Sequence, residues 1–374
     1  MSNVLVVNAG SSSLKLRILG PGNEVIAATD LDKWDGSPAA AGLAGFCTGQ
    51  GGIAAVGHRV VHGGSRFTRA TLVDDSVLAA IAGLADLAPL HQPRAIAGIE
   101  AARAALPGVP NVACFDTAFH AGLSPAAATY ALPADWTRRF GLRRYGFHGL
   151  SHAYAARRAA EIMQTSPERL RLVTCHLGAG SSLAAVAGGR CADTTMGFTP
   201  LEGLVMATRC GSVDPGLLVW LLRDAGLSLD EVAAGLEFAG GLAGLAGLRG
   251  GSGDMRDVAS AARAGSADAR LAIDVHAHRL RREVAAMAAA MNGLDAIVFT
   301  GGIGEHQPDV RADAAAGLGF LGVAIDPRRN AAASRDAEIT GPGAGVRAIV
   351  ITAREDIEIA RQVRAAMAGS PAGG

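Results

Sequence analysis

Two β-type runs that flank a turn of small residues restrict the fold of this chain from its first twenty positions. The run Val4 to Val7 is short and rich in β-branched side chains, and Leu14 to Ile18 alternates between apolar and basic residues at the strand period. The connecting stretch, Asn8 to Ser13, reads NAGSSS. This pattern predicts a β-hairpin whose tip is either an ordinary surface turn or a phosphate cradle of free amides and hydroxyls.

The same tip recurs in the second half of the chain. The stretch Leu170 to Arg190 again reads strand, small-residue turn, strand, and Ala9 to Ser12 matches Ala179 to Ser182 residue for residue. Two hairpins of one design predict a duplicated domain in which each half offers a turn to one ligand. Four matching small residues can also arise by chance, so the hairpins alone leave coincidence open.

Composition excludes several classes of protein. The 374 residues, 49% of them apolar, are enough for two or three domains, and the formal net charge of zero argues against binding to nucleic acid or to a membrane surface. Five scattered cysteines without a C-x-x-C pair predict neither a disulfide framework nor a zinc site, which fits a reducing cytoplasm. No signal peptide or membrane span is expected from the short, interrupted apolar runs.

Strands and helices alternate along the chain, which predicts an α/β fold. Amphipathic spacing predicts helices at about 76–87, 92–105, 151–164, 214–226, 267–292 and 355–368, and apolar runs predict strands at about 54–61, 111–115, 171–176, 183–187, 296–300 and 347–351. The glycine-heavy segment Ala239 to Gly253 has no period, and we expect a mobile loop that lines a cleft.

A third glycine-rich stretch follows the predicted strand Ala296 to Thr300. Gly301 to Glu305, GGIGE, is typical of a strand that ends at a helix N-terminus, where free amides and the helix dipole favour phosphate. The chain has no Walker A motif, and GGIG fits the dinucleotide-binding fingerprint poorly.

Two motifs deliver a charged side chain at the end of a predicted strand. GHRVVHGG places Arg59 beside two histidines and a glycine turn, although a strand-end arginine is more often a surface charge. CFDTAFH places Asp116 where α/β folds bind ligands, or equally at a helix N-cap.

Two further motifs carry histidine or arginine. In RRYGFHGLSH, His148 and His152 lack the intervening Glu of a zinc protease, so the pattern argues against a metal site and leaves open a histidine that donates to a ligand oxygen. In MATRCGSVDPG, Arg209 lies in a loop ahead of a Pro-initiated helix, and arginine suits phosphate oxygens. Phosphate turns, two arginines, a carboxylate and no G-x-S-x-G elbow favour phosphoryl transfer over hydrolase chemistry.

Eight motifs in order resemble those of the acetate kinase family, within the superfamily of acetate and sugar kinases, heat-shock 70 proteins and actin. They are NVLVVNAGSSSLK, GHRVVHGG, FDTAFH, RRYGFHGLSH, CHLGAGSS, TRCGSVDPG, GDMRD and FTGGIGE, and the resemblance runs from about residue 3 to 365. It implies a duplicated actin-like (ribonuclease H-like) α/β fold with an interdomain cleft. The implied lobes are 1–119 plus 356–374, on the acyl and metal side, and 120–355, for the nucleotide and dimerisation.

The resemblance also implies a reaction and a set of site residues. The reaction is reversible transfer of the γ-phosphoryl group of ATP to acetate with Mg²⁺ or Mn²⁺, in a cytoplasmic homodimer that binds neither nucleic acid nor membrane. Alternatives are a propionate or butyrate kinase, or an ATPase of the actin type. The implied residues are catalytic Arg59, Asp116, His148 and Arg209; acyl-pocket Val61, Leu90, His91, Phe147 and Pro200; metal-binding Asn8 and Glu355; and, for ATP or ADP, Ser12, Lys15, His176, Gly178, Gly180, Asp254, Met255, Arg256, Gly302, Ile303, Gly304 and His306.

The chain departs from the family pattern at positions near the implied nucleotide site. Ala179 and His306 stand where Asn is usual, Ser212 stands where Asp is usual, and Ala353-Arg354 replaces the common Thr-Asn before Glu355. None of these changes falls on an implied catalytic residue. We therefore expect nucleotide affinity or choice of phosphoryl donor, rather than the reaction, to distinguish this chain.

Overall fold

A computed structural model describes residues 3–10, 13–32, 34, 40–49, 52–89 and 91–369. The chain divides into two compact units. Unit 1 comprises Met1–Ala121, Phe147–Tyr154 and Arg354–Gly374, and unit 2 comprises Gly122–Gly146 and Ala155–Ala353. Unit 1 thus includes the segment 147–154, which the lobes predicted from the sequence place in the second half; those lobe bounds stay a prediction.

Each unit is built on one six-stranded mixed sheet. The strands are β1 Asn3–Ala9, β2 Ser13–Leu19, β3 Val25–Asp32, β4 Ile53–Val60, β5 Thr71–Leu72, β6 Asn111–Phe115, β7 Arg171–Leu177, β8 Ser181–Ala187, β9 Arg190–Thr194, β10 Ala296–Thr300, β11 Ala337–Glu338 and β12 Arg347–Val350. The first sheet has the order β3-β2-β1-β4-β6-β5, and the second has β9-β8-β7-β10-β12-β11.

The two sheets share one topology. In each, an antiparallel meander (β1–β2–β3 or β7–β8–β9) is extended by two parallel strands (β4 and β6, or β10 and β12), and a short antiparallel strand closes the edge. The two hairpins predicted from the repeated small-residue tips are β1–β2 and β7–β8. The prediction of a duplicated α/β fold is therefore confirmed.

Helices and short 3-10 turns complete the described chain. The α-helices are α1 Ala40–Cys47, α2 Asp75–Ala82, α3 Gln92–Ala105, α4 Pro125–Ala128, α5 Ala134–Phe140, α6 Gly149–Met163, α7 Pro215–Arg223, α8 Leu229–Glu237, α9 Gly241–Ala246, α10 Met255–Arg263, α11 Ala267–Ala290, α12 Gly301–His306, α13 Pro308–Ala316, α14 Pro327–Ala332 and α15 Glu355–Met367; the 3-10 turns are Ala85–Leu87, Ala118–His120, Pro167–Arg169 and Gly319–Leu321. No helix in these ranges is sufficiently long and apolar to cross a membrane.

In unit 1, helices cover both faces of the sheet. Ile359 and Val363 of α15 pack on one face, and α3 and α1 pack on the other. Gly57 of β4 permits the close approach of α15, because a Cβ atom there would lie 2.5 Å from Ile359 Cγ2. This packing brings Glu355, the first residue of α15, to the sheet that carries Asn8 and Arg59. In unit 2, the core lies between the second sheet and the helices α9 to α11 and α13.

The predicted bounds agree with the observed ones to within three residues, except that the first predicted helix ends at Ala82, followed by Gly83 and a separate 3-10 turn. The prediction of a loop over Ala239 to Gly253 is wrong for the first half of that segment. Residues Gly241–Ala246 form helix α9, and Leu242 is fully buried in the core of unit 2. Small side chains hide the periodicity here, because glycine and alanine carry little hydrophobic contrast.

Candidate active site

Arg59 and Asp116 form a buried ion pair in unit 1. Parallel pairing aligns Arg59 of β4 with Cys114 of β6, so that Asp116 lies just past the end of the neighbouring strand. Arg59 Nη2 donates to Asp116 Oδ2 at 2.7 Å and Nε donates to the same oxygen at 3.1 Å. The side chains are 18% and 1% exposed. Arg59 is thus no loose surface charge, and Asp116 orients an arginine instead of capping a helix.

The electrostatics of the pair follow from its burial. Burial raises the pKa of Asp116 above its ordinary value, and the adjacent guanidinium opposes that rise. Burial alone would lower the pKa of Arg59, but the charges of Asp116 and Glu355 raise it. Arg59 therefore carries a permanent positive charge in a partly desolvated place, where that charge acts most strongly on an anion.

Asn8 and Glu355 lie beside this pair. Asn8 Nδ2 donates to Glu355 Oε2 at 3.3 Å, and Arg59 Nη1 lies 3.5 Å from Asn8 Oδ1 and 3.7 Å from Glu355 Oε2. The structure therefore brings together the two residues implied for the metal and two of those implied for catalysis. Lys15, exposed on β2, pairs in register with Asn8.

The segment that holds Phe147 and His148 is tied to the end of β6. His148 has a left-handed backbone (φ 55°), which is uncommon for a residue with a side chain and often occurs at functional sites. Gly149 N donates to Asp116 O at 3.0 Å, and a Cβ atom at position 149 would lie 2.1 Å from that oxygen. Asp116 thus fixes Arg59 through its carboxylate and the start of α6 through its carbonyl.

Two buried histidines adjoin Phe147. His120 Nε2 donates to the carbonyl of Phe147 at 3.0 Å, and the rings of His62 and Phe147 meet edge to face at 5.4 Å. The motif analysis quoted both histidines without giving them a role, and their only sequence signal is proximity to Asp116 and Arg59. Val61 and Phe147 are buried in the same unit, and His91 precedes α3. Ser12 and Leu90 lie outside the described residues.

Arg209 belongs to unit 2 and has a different environment. Its Nη1 donates to Pro200 O at 2.6 Å, and none of the described carboxylates lies within ion-pair distance of it. Burial lowers the pKa of Arg209, and the charge of Glu237 partly opposes this. A half-buried guanidinium that protein carboxylates leave uncompensated is suited to bind an anion.

Backbone contacts from α9 hold the loop that carries Arg209. Leu242 N donates to Met206 O and Ala243 N donates to Ala207 O, both at 2.9 Å. Gly241 allows this approach, because its φ is 59° and a Cβ atom there would lie 2.3 Å from Met206 O. Ala207 N in turn donates to Ala179 O in the second hairpin tip, at 3.1 Å.

The second hairpin tip and α12 meet at one edge of the second sheet. His176 of β7 pairs in register with Thr300 of β10, and a Cβ atom at Gly301 would lie 2.7 Å from Leu177 O. Within the tip, Gly178 N donates to Gly180 O at 3.1 Å. The next residue of α12, Gly302, is exposed, and beyond the backbone of its own helix and its chain neighbours no atom lies within 4 Å of where its Cβ would be. Its backbone is therefore open to a ligand.

The motif GDMRD caps a helix. Asp254 is the N-cap of α10, accepts from Arg256 N at 2.8 Å and forms an exposed ion pair with the Arg256 side chain. Met255 is buried, and His306 ends α12. The implied nucleotide residues other than Ser12 and Lys15 thus all lie in unit 2, whereas the implied metal residues lie in unit 1.

Comparison with known proteins identifies the family. A model of the Acetokinase family matches residues 44–361. An acetate kinase of Synechococcus sp. (strain JA-2-3B'a(2-13)) is 47% identical, over 96% of this chain and 97% of the relative.

Solved structures give the same result. The crystal structure of Porphyromonas gingivalis acetate kinase matches with a TM-score of 0.89 at 34% identity, over 98% of this chain and 100% of the other. A propionate kinase from Francisella tularensis matches with a TM-score of 0.88 at 34% identity, over 97% and 99%. The chain belongs to the acetate kinase family, whose enzymes transfer a phosphoryl group between ATP and acetate.

Proposed function

We propose that this enzyme uses acetate as its preferred acceptor, and that the acetate carboxylate attacks the γ-phosphorus of ATP directly. A carboxylic acid with a pKa of roughly 4 is already ionised at pH 7, so the step needs no general base. The new O–P bond forms as the bond from the γ-phosphorus to the β,γ-bridging oxygen breaks, and ADP leaves. The observation that supports direct attack is the buried Arg59, which Asp116 orients and whose charge offsets the repulsion between two anions.

The other catalytic residues have roles that follow from their surroundings. We assign the second positive charge at the transferring group to Arg209, which has no carboxylate partner among the described residues. His148, held in a left-handed conformation at the start of α6, is assigned a contact to the phosphoryl oxygens. Both contacts lower the energy of a transition state whose charge spreads over those oxygens.

A divalent cation, Mg²⁺ or Mn²⁺, fits the residues beside Arg59. Asn8 and Glu355 offer an amide and a carboxylate oxygen, which are the donors that hard cations prefer. Glu355 lies at the edge of this cluster, 3.7 Å from Arg59, where its carboxylate could bind a cation. Asn8 and Glu355 would hold the metal, which would neutralise phosphate charge when bound.

The nucleotide is assigned to the second hairpin tip and to α12. Gly178 and Gly180 form a half-buried turn around the exposed Ala179, Gly302 is exposed, and Asp254 to Arg256 and His306 lie in the same unit. His176, Ile303 and Gly304 belong to this set, and Ser12 and Lys15 of the first hairpin are assigned to the phosphates by the same family resemblance.

The reaction is tested by trapping its product. Incubation with ATP, Mg²⁺, acetate and hydroxylamine should yield acetohydroxamate in proportion to the ADP formed, because hydroxylamine captures acetyl phosphate. ADP formation at the same rate without acetate, and without hydroxamate, would instead indicate an ATPase of the actin type.

Propionate is the second candidate acceptor, because a solved propionate kinase is as similar to this chain as the solved acetate kinase. Val61, Leu90, Phe147 and Pro200, with His91, are assigned to the acyl pocket. One methylene is worth about 1–3 kcal/mol in such a pocket, so we expect kcat/KM for acetate to exceed that for propionate by about 10- to 100-fold. Val61→Ala should narrow this ratio. A higher kcat/KM for propionate or butyrate in the unaltered enzyme would reassign the substrate.

A second copy of the chain is the proposed partner, through helix α7 of unit 2. No residue of α7 is buried, although its sequence is PGLLVWLLR, and Trp220 is 53% exposed. Leu229 and Phe238, at the ends of α8, are also exposed. Apolar surface of this kind marks protein interfaces. Light scattering should give a dimer for the unaltered chain and a monomer for Trp220→Glu; a monomeric unaltered chain would contradict the proposal.

We also propose that the enzyme works in the cytoplasm. The five free cysteines support a reducing cytoplasmic compartment.

A further inference from the structure

Arg311 of α13 is a buried charge that the proposed reaction does not use. Its side chain is 0% exposed and is the largest fully buried side chain among the described residues. No carboxylate in the described ranges pairs with it, and burial lowers its pKa. A charge buried without a counter-charge is costly, and apolar residues of similar volume often fill such a place with less loss of stability. Filling space in the core is therefore a poor explanation for an arginine at position 311.

The hydrogen bonds of Arg311 show what it holds. Nη1 donates to Gly304 O at 2.9 Å and to Glu305 O at 2.8 Å, both in α12. Nε donates to Asn330 Oδ1 and Nη2 donates to Asn330 O, each at 2.7 Å. Asn330, in α14, is buried too, and its Nδ2 donates to Pro308 O at 2.8 Å. One planar guanidinium thus joins α12, α13 and α14.

Helix α12 depends on such external contacts. The last four carbonyls of any helix lack a partner within it, and in this six-residue helix they are more than half of the carbonyls. A cation at the carboxyl end also matches the helix dipole. At the opposite end, Gly301 admits no side chain, because its φ is 79° and a Cβ atom there would lie 2.7 Å from Leu177 O. In between, Glu305 Oε1 accepts from Ala353 N at 3.0 Å.

We propose that Arg311, with Asn330, is a positioning residue for nucleotide binding, which holds the carboxyl end of α12 so that the backbone at Gly302 stays where it meets the nucleotide. The inference rests on the proposed assignment of α12 to the nucleotide. A displacement of about 1 Å in a binding element is enough to change turnover by as much as about 100-fold. Lysine cannot replace Arg311, because a single ammonium cannot reach the carbonyls of α12 and both groups of Asn330 in one plane.

The test compares Arg311→Lys with Arg281→Met. Arg281 is a matched control, because its Nε also donates to a carbonyl of α13, Asp313 O at 2.7 Å, but does not contact α12. We expect Arg311→Lys to raise KM for ATP about tenfold, to leave KM for acetate within about twofold and to reduce the rise in Tm that ADP produces. Arg281→Met should change none of the three. A merely structural role would lower Tm in Arg311→Lys without separating the two KM values, and that result would overturn the proposal.

Two more variants keep the test decisive. Should Arg311→Lys not fold, Asn330→Ala removes the Oδ1 acceptor while leaving the arginine, and it should raise KM for ATP in the same selective way. Gly302→Ala places a methyl in open space on α12, so it should raise KM for ATP without lowering Tm. An unchanged KM for ATP in Gly302→Ala would refute the nucleotide assignment itself, together with the inference. An effect in Gly302→Ala but in neither Arg311→Lys nor Asn330→Ala would refute only the positioning role.

Discussion

The two arginines assigned to catalysis differ in their hydrogen-bond and ion-pair partners. Arg59 is held by three hydrogen bonds to Asp116, a carboxylate that is fully buried at the end of β6. Arg209 is anchored by the carbonyl of Pro200 and has no such partner among the described residues. Removal of one partner from a buried ion pair leaves a charge without compensation, whereas removal of an unpaired cation does not. The same substitution should therefore affect the two sites differently.

Arg59→Ala should abolish most turnover and also destabilise the fold. We expect kcat to fall by about 10³- to 10⁵-fold, by analogy with arginines that neutralise a transferring phosphoryl group. The free energy of unfolding should fall by about 3–5 kcal/mol, because Asp116 remains buried without its partner. Product formation and urea unfolding measure the two effects. An unchanged unfolding curve would mean that Asp116 is not ionised in the folded enzyme.

Arg209→Ala should lower kcat to a similar extent, by about 10³- to 10⁵-fold, with little loss of stability. Burial of this guanidinium is unfavourable without a carboxylate, so its removal relieves a desolvation penalty. The matched measurements are kcat and the midpoint of thermal unfolding. Near-normal turnover would remove Arg209 from the catalytic set.

At the scale of elements, glycine lets backbones touch where the site requires it. Gly149 brings α6 against the carbonyl of Asp116, and Gly241 brings α9 against the loop of Arg209. In the first place the helix backbone donates to Asp116 itself, and in the second it donates to Met206 and Ala207 of the loop that carries Arg209. The start of α6 and the loop of Arg209 are thus held in place by backbone contacts and not by large side chains.

Gly241→Ala should impair catalysis through the Arg209 loop. The added methyl would lie 2.3 Å from Met206 O at a φ of 59°, so the loop or the helix must move. We expect kcat to fall by about tenfold or more, since a small displacement of a catalytic group has a large effect on rate. Gly235→Ala in α8 is the control: its Cβ meets nothing within 4 Å, and it should stabilise the helix by about 0.5–1 kcal/mol. Equal activity in both variants would show that the loop tolerates the shift.

Across the whole molecule, three buried histidines link stability to pH. His58, His120 and His276 are buried, and burial lowers the pKa of each from 6.5 to about 4. Each is neutral in the folded protein near neutral pH, but takes up a proton on unfolding once the pH falls below about 6.5. Their contribution to stability is therefore fully present above that pH and is lost as the pH falls towards 4.

We expect the free energy of unfolding to fall by roughly 1–2 kcal/mol per histidine between pH 7 and pH 5. His58→Gln should flatten this dependence, because glutamine keeps a donor for Asn111 Oδ1, which His58 Nε2 contacts at 2.7 Å, and does not titrate. Denaturant unfolding at several pH values measures the slope. A variant with the same slope as the unaltered protein would exclude His58 from the titration.

Local pattern was enough to predict the β1–β2 and β7–β8 hairpins, the α/β alternation and the order of the motifs, because alternation and turn chemistry act over a few residues. It did not reveal α9, whose glycine and alanine residues give no contrast between faces. It also gave no role to Arg311, since an arginine in an exposed helix and one in a core have the same sequence signal.

The amino-acid sequence by itself determined the family, the repeated hairpins and the residue types available for phosphoryl transfer. Only the tertiary structure decided that Arg59 pairs with Asp116, 57 positions away, that Asn8 meets Glu355, 347 positions away, and that Arg209 has no carboxylate partner among the described residues. The physical reason is that charge compensation and burial depend on which distant segments the packing brings together. Local periodicity in the sequence carries no information about those tertiary contacts.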